Sequence, residues 1–195
     1  MLSGLKGSKV AILCAGEVDR TALDEAKRAL SAAGAVPVVI PADIAIGSVR
    51  AADFAGLVLL GACAGDGETE PDAVQLVREF VSTDKPVGAL GTAARLLIAA
   101  DVVAGRTLTS SVELAGEIHR AGGDWVDRPV EVDATLITGR SPADLPVFAD
   151  RLVREFSQAI EERKADQLSE QSFPASDPPP GPSSIGGGGA GTNPR

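Results

Sequence analysis

The sequence contains no tyrosine, and aromatic residues make up only 3% of its 195 residues. Proteins that bind single-stranded nucleic acid use aromatic rings as platforms on which bases stack, and such platforms are scarce here. Basic residues are also fewer than acidic ones, and the formal net charge is -9. A phosphate backbone would be repelled by this charge. We therefore expect no nucleic-acid partner.

Long apolar runs are missing as well, and none approaches the roughly 20 residues that cross a bilayer. The first residues, MLSGLKGSKVAIL, lead straight into a predicted strand without the charged, apolar and small-residue order of a secretion signal. Only two cysteines occur, Cys14 and Cys63, which suits a reducing compartment better than a disulfide framework. The sequence thus predicts a cytoplasmic protein that does not contact membranes.

Apolar runs alternate with helical patterns through most of the chain. Continuous apolar runs of this kind are typical of strands buried on both faces. The predicted strands are Lys9 to Cys14, Val36 to Ile40, Phe54 to Gly61 and Val87 to Leu90. The predicted helices run from Asp19, as N-cap, to about Ala33, and from Pro71 through Phe80. This alternation predicts an α/β fold, a flavodoxin-like three-layer sandwich with a mainly parallel central sheet.

The C-terminal half continues the pattern and then changes character. A short extended piece is expected at 105–110, a helix at 111–121, one or two strands at 130–138 and a last helix from Asp144 to about Lys164. Residues 44–53 fit either a short extra strand or a turn. From residue 167 the chain is rich in Pro, Gly and Ser and has little to bury. The prediction is one domain over 1–166 and a disordered tail over 167–195 that solubilises the domain or tethers a partner.

The stretch KPVGALGTAARLL, Lys85 to Leu97, predicts a strand, a one-residue turn and a helix in immediate succession. In α/β proteins such a corner sits at the carboxyl edge of a parallel sheet and often carries a nucleophile. The corner residue here is Gly91, which has no side chain. The sequence therefore has the form of a reactive site without its reactive atom.

Several segments together resemble the ThiJ/PfpI family of the class I glutamine amidotransferase-like superfamily. They are KVAIL, FAGLVLLGA, KPVGALGTAARLL, AGRTLTS, AGGDWVD and VEVDATLITGRSPADLPVF. They occur in the family's order and with similar spacing from Lys9 to about Phe156. The resemblance implies a family whose active members are cysteine hydrolases or glyoxalase-type enzymes acting on small carbonyl compounds, and whose members are commonly dimeric.

The resemblance also implies where the family's functional residues would fall. The thiol position falls on Gly91 and the following histidine on Thr92. A glutamate from the segment after the first strand falls near Ala22, or on Asp19 or Glu17 if the loop is shifted. The paired glycines of the oxyanion hole become Gly61 and Ala62. In lacking the thiol the chain is similar to the C-terminal domain of large-subunit catalases.

Replacement nucleophiles have to be considered, because a corner without a thiolate has no attacking atom. Thr92 would need a base, and the sole histidine, His119, is predicted to lie near the end of a surface helix. Cys14 and Cys63 follow strands that are neighbours in a flavodoxin-like order, so both sulfurs are candidates for the carboxyl edge, as a redox pair or a relocated nucleophile. Buried structural thiols are the commoner situation.

The acidic residues suggest no metal site. Glu17 and Asp19, together with Asp66, Glu68 and Glu70, match no Ca²⁺ loop spacing and are read as a solvated surface. No dinucleotide or P-loop signature occurs, so we expect neither a metal nor a cofactor.

Two functions remain in competition at this level. The first is a catalytically silent ThiJ/PfpI-like domain, a homodimer serving as a small-ligand-binding or assembly module. Its expected crevice comprises Glu17, Asp19, Gly61, Ala62, Cys63, Gly91 and Thr92. The alternative is a cysteine-dependent hydrolase, deglycase or glyoxalase-like enzyme that uses Cys63 or Cys14. A third, weaker hypothesis makes the tail the functional part, with a protein partner.

Overall fold

A computed structural model describes residues 5–41, 46–61 and 71–171. Eight strands are present among them. They are β1 (Lys9–Cys14), β2 (Val36–Pro41), β3 (Gly56–Leu60), β4 (Val87–Leu90), β5 (Thr107–Leu108), β6 (Asp124–Trp125), β7 (Val130–Asp133) and β8 (Leu136–Gly139). The α-helices are α1 (Arg20–Ala32), α2 (Pro71–Ser82), α3 (Arg95–Ala99), α4 (Ala115–Arg120) and α5 (Leu145–Gln171). Short 3-10 helices cover Ile46–Ser48, Ala51–Asp53, Gly91–Ala94, Val112–Leu114 and Pro142–Asp144.

Six strands form the central sheet in the order β2-β1-β3-β4-β8-β7. All neighbours pair in parallel except β7 and β8, which form an antiparallel hairpin at one edge. Strands β5 and β6 pair separately. The first five strands of the large sheet have the flavodoxin-like order, so the predicted α/β fold with a mainly parallel sheet is confirmed.

The apolar residues of the sheet are divided between two cores, one on each face. Side chains of α2, α3 and α4 pack with one set, which includes Leu13 and Leu59. Side chains of α1 and α5 pack with the alternate set, which includes Ile12 and Val58. Strand β3 is buried along its whole length because both of its faces are covered. The result is a three-layer sandwich.

Helix α5 lies directly on three glycines of three neighbouring strands. A Cβ on Gly139 of β8 would come within 2.7 Å of Phe148, and one on Gly56 of β3 within 2.6 Å of Phe156. A Cβ on Gly88 of β4 would overlap Leu152. These three helix residues are four apart and share one face of α5. Their close approach to the sheet therefore depends on the absence of a side chain at each glycine.

The structure corrects several predicted elements. Residues 46–53 form two 3-10 helices, and not a strand. The helix predicted from Ser111 begins as a 3-10 turn before α4, and α5 runs past Lys164 to Gln171. The buried face of α1 comprises Ala22, Ala26 and Leu30. The sequence predicts the disordered tail from residue 167, but 167–171 belong to α5, and 172–195 lie outside the described residues.

Candidate functional site

The corner after β4 joins a strand to a helical segment, as the sequence predicted, but a 3-10 helix over Gly91–Ala94 replaces the predicted one-residue turn and α3 begins at Arg95. Strand β4 ends at Leu90, and Gly91 opens a 3-10 helix with a φ of +60°. A Cβ on buried Gly91 would lie 3.4 Å from Ser111 Oγ and 3.8 Å from the Arg140 carbonyl oxygen. Both are ordinary van der Waals distances. A side chain would therefore fit at this position, although the left-handed backbone favours glycine.

A second glycine, Gly61, closes the neighbouring strand β3. Its φ is +113°, and a Cβ there would overlap the carbonyl oxygen of Ala15. The Thr92 hydroxyl donates a hydrogen bond to the Gly61 carbonyl oxygen over 3.1 Å. The structure thus brings Gly61, Gly91 and Thr92 together at the carboxyl edge of the sheet.

The acidic candidates of the segment after β1 have other surroundings. Asp19 caps α1, and its Oδ1 accepts a hydrogen bond from the Thr21 amide over 2.8 Å. Glu17 is exposed, and Ala22 is buried in the core beneath α1 and α5. Among the described residues no hydrogen bond joins Glu17 or Asp19 to Gly91 or Thr92. The placement of Glu17 and Asp19 beside the corner therefore stays a prediction.

An ion-pair network adjoins the corner on its other side. The Arg140 guanidinium donates to both carboxylate oxygens of Asp144, over 3.0 and 3.1 Å, and to Asp127 over 2.9 Å. The Ser141 hydroxyl also donates to Asp144 over 2.8 Å. These hydrogen bonds lower the pKa of Asp144 and raise that of Arg140 above its ordinary range. The network fixes the segment that presents the Arg140 carbonyl to Gly91.

Comparison with known protein families gives a match over most of this architecture. Residues 18–155 match the DJ-1/PfpI family. The chain belongs to the DJ-1/PfpI family. The match includes Gly61, Gly91, Thr92 and the Arg140 network, and it confirms the ThiJ/PfpI resemblance seen in the sequence.

The chain is similar to an uncharacterized protein, to a deglycase and to several solved structures. The chain is 37% identical over 113 residues to an uncharacterized protein of Archaeoglobus fulgidus, covering 57% of this chain and 67% of that protein. It is also 37% identical over 116 residues to protein/nucleic acid deglycase 2 of Escherichia coli, covering 57% of this chain and 66% of that protein. Among solved structures, a ThiJ/PfpI domain protein from Brachyspira murdochii has a TM-score of 0.71 at 16% identity, covering 78% of this chain and 98% of that one. At that identity the likeness concerns the fold.

Of the two candidate cysteines of this DJ-1/PfpI domain, Cys14 lies among the described residues. Cys14, a free thiol at the end of β1, is half-buried and packs against the core beneath α1 and α5. Burial raises the pKa of its thiol. A raised pKa keeps the sulfur protonated, whereas nucleophilic cysteines have a lowered pKa. Cys63 and Ala62 lie outside the described residues.

Thr92 and His119 do not form a nucleophile and base. The Thr92 hydroxyl proton is directed to the Gly61 carbonyl oxygen. His119 is exposed in the last turn of α4, with Nδ1 3.3 Å from the carbonyl oxygen of Gly123. Because the chain has no other histidine, Thr92 has no imidazole base.

Within 5–41, 46–61 and 71–171, no cluster of three His, Cys, Asp or Glu side chains could hold a metal ion. In the same ranges no helix is both long and apolar enough to span a bilayer. The acidic residues Asp66, Glu68 and Glu70 lie outside these ranges.

Sequence reasoning missed the residues that surround Gly91 from the far half of the chain. Ser111 follows β5, and the Arg140 network follows β8. The RSPAD sequence offered a signal, since Arg140 and Asp144 are four residues apart at the start of a predicted helix. The approach of Ser111 to Gly91 had no local signal.

Proposed function

We propose that this DJ-1/PfpI domain is catalytically silent and serves as a small-ligand-binding or assembly module. The observation that carries the proposal is Gly91, the residue at the corner where the family resemblance puts the thiol. The corner keeps its left-handed turn and room for a side chain. The thiol is missing, and Thr92 stands where the resemblance puts the histidine that follows it.

The other described groups do not replace that atom. The Thr92 hydroxyl is engaged with a carbonyl oxygen, and the Cys14 thiol has a raised pKa. Covalent catalysis needs an activated nucleophile, and oxyanion stabilisation without one supplies only part of the rate enhancement. The proposal therefore assigns the crevice a binding role.

The geometry around Gly91 suggests what the crevice binds. The Ser111 hydroxyl stands where a side chain of residue 91 would point, and it can donate to or accept from a polar ligand. A small carbonyl compound or carboxylate fits this arrangement, held by Ser111 and by backbone amides of the corner.

Turnover of methylglyoxal and of a generic peptide substrate tests the proposal. The wild-type chain should be inactive on both, and Gly91→Cys should gain measurable activity on one of them. Gly91→Ala is the matched control, because it introduces the same left-handed Cβ without sulfur and should stay inactive. Wild-type turnover would overturn the proposal.

The competing function is a cysteine-dependent deglycase or glyoxalase-like enzyme. The similarity to the E. coli deglycase favours it, and Cys63 is its first candidate nucleophile, with Cys14 second. This function predicts wild-type activity that Cys63→Ala or Cys14→Ala abolishes. Equal activity of wild type and both variants would exclude it.

The assembly part of the proposal concerns partners. A homodimer in the cytoplasm remains the expectation, and light scattering after size exclusion measures the mass directly. The segment Gln167–Arg195 is the candidate for a protein partner, but α5 extends to Gln171. Removal of 172–195 is therefore the cleaner deletion, since it leaves the helix whole. Loss of a partner with an unchanged domain would assign binding to the tail.

A further inference from the structure

A cavity of about 760 Å³ lies at the opposite edge of the sheet from Gly91. It adjoins the residues that precede β3 and β4, at the amino ends of those strands. Its lining includes Arg50, Lys85 and Arg163, and Glu79 is the one carboxylate among the described residues that line it. We call it the cationic cavity. Three cations around one space are unusual in a chain whose net charge is -9.

Lys85 is held in place by backbone oxygens. Its Nζ donates to the carbonyl oxygens of Ala51 over 2.5 Å and Phe54 over 2.7 Å. The ammonium also stands 5.8 Å from the centroid of the Phe80 ring. These contacts use two of the three N–H groups. The charge is therefore fixed at the cavity wall with a donor remaining.

The two arginines have donor capacity left as well. The Arg163 guanidinium donates to the carbonyl oxygen of Thr83, which uses one of its five N–H groups. Arg50 is exposed and precedes a 3-10 helix. No ion pair within the described part of the chain includes Arg50, Lys85 or Arg163. None of the three cations is therefore held in a direct ion pair with a carboxylate among the described residues.

Lys85 and Arg163 are close enough for their charges to affect each other. Burial lowers the pKa of Lys85, and the positive charge of Arg163 lowers it further, while Asp53 raises it. Asp53 and Glu79 offset part of the positive charge, and the Asp72 carboxylate lies beside Gly47 on the cavity lining. An anion bound in the cavity would relieve the remaining repulsion.

We propose that the cationic cavity binds a small phosphorylated sugar or polyol. A phosphate group matches the two guanidinium groups and the ammonium, since arginine forks bind phosphate oxygens in pairs. Glu79, Ser82 and Thr83 line the same space. The Ser82 and Thr83 hydroxyls already donate to the Glu79 carbonyl oxygen, so these hydroxyls and the Glu79 carboxylate can accept hydrogen bonds from ligand hydroxyl groups. The described lining has no aromatic side chain on which a nucleotide base could stack. The volume lies within the range of small-molecule sites, about 300–1,000 Å³.

This site is independent of the crevice at Gly91. A phosphorylated ligand here would stabilise the contacts among the segment at Arg50, the start of β4 and helix α5. It could bind whether the corner is catalytic or silent, so the two proposals succeed or fail separately.

Isothermal titration calorimetry on the full chain tests the proposal, with glucose 6-phosphate, inorganic phosphate and glucose as probes. Glucose 6-phosphate should bind saturably and more tightly than phosphate, and glucose should not bind. Arg50→Gln and Arg163→Gln should each weaken binding by about tenfold or more, as expected for the loss of one charge-assisted contact. Arg154→Gln is the matched control, because Arg154 is exposed on the same helix and does not line the cavity.

Each contrary result has a definite meaning. No saturable binding, or equal weakening by Arg154→Gln, would overturn the site. Equal affinity for glucose 6-phosphate and phosphate would overturn its assignment to a sugar or polyol. Arg50 makes no side-chain hydrogen bond in the described part of the chain, so Arg50→Gln should fold normally even if Arg163→Gln does not.

Discussion

A side chain at Gly91 would place its Cβ atom 3.4 Å from the hydroxyl oxygen of Ser111. Gly61, on the neighbouring strand, has no such room because its Cβ would overlap the Ala15 carbonyl oxygen. Both glycines have positive φ, but only Gly61 is also required by space. The identity of residue 91 is therefore restricted by backbone conformation alone.

Gly91→Ala should lower the free energy of unfolding by about 1–2 kcal/mol, the cost of a left-handed non-glycine residue. Urea denaturation measures the change. Gly116→Ala is the control, since Gly116 lies exposed in α4 with open space around it, and it should stabilise the protein by about 0.5–1 kcal/mol. A loss above about 3 kcal/mol at Gly91 would mean that the side chain is overpacked.

Thr92→Val should destabilise the protein by about 1–2 kcal/mol, because the Gly61 carbonyl oxygen loses its hydroxyl donor. Thr92→Ser keeps the donor and should stay within about 0.5 kcal/mol of wild type. Thermal or urea unfolding of the two variants side by side measures the difference. Equal stability of both variants would show that the hydrogen bond contributes nothing.

Arg140→Gln should raise the pKa of Asp144 toward its ordinary value of 3.8, because the hydrogen bonds from Arg140 are the main cause of its lowering. A carboxyl whose folded pKa is lowered stabilises the fold fully above the unfolded pKa and loses this effect as pH falls through the folded value. The stability advantage that Asp144 gives wild type over the variant should therefore be full at neutral pH and should shrink as the pH falls below about 3.8 through the folded pKa of Asp144. Carboxyl NMR titration measures the pKa, and an unchanged value in Arg140→Gln would contradict the assignment.

In a Cys63→Ser variant, Cys14 should react with iodoacetamide about tenfold or more slowly than a free thiol at the same pH, because burial and a raised pKa reduce its thiolate. Labelling of the urea-unfolded variant gives the reference rate. Fast labelling of Cys14 in the native variant would instead support Cys14 as a relocated nucleophile.

Features encoded in neighbouring residues were predictable from the sequence. The bounds of β4, the Asp19 cap of α1 and the start of α2 at Pro71 all follow from local patterns, and the structure has them. The corner at Gly91 also follows, because a strand run and a helical run meet there.

Features made by distant segments were not predictable. Ser111 reaches Gly91 only because the segment after β5 folds over the carboxyl edge of the sheet. The local sequence around Ser111 contains no pattern that predicts this contact. The cationic cavity likewise joins the segment at Arg50, the start of β4 and the far part of α5. The end of α5 was misjudged because its polar last turns lack the apolar spacing on which the prediction relied.

The glycines beneath α5 specify where that helix docks. Phe148, Leu152 and Phe156 each lie over a different strand, at Gly139, Gly88 and Gly56. A shift of α5 by one residue would turn it by about 100° and move all three side chains away from these positions. The three glycines therefore fix the position of α5 on the sheet. The apolar face of α5 alone would allow several positions along the sheet, but only one of them places all three side chains over glycines.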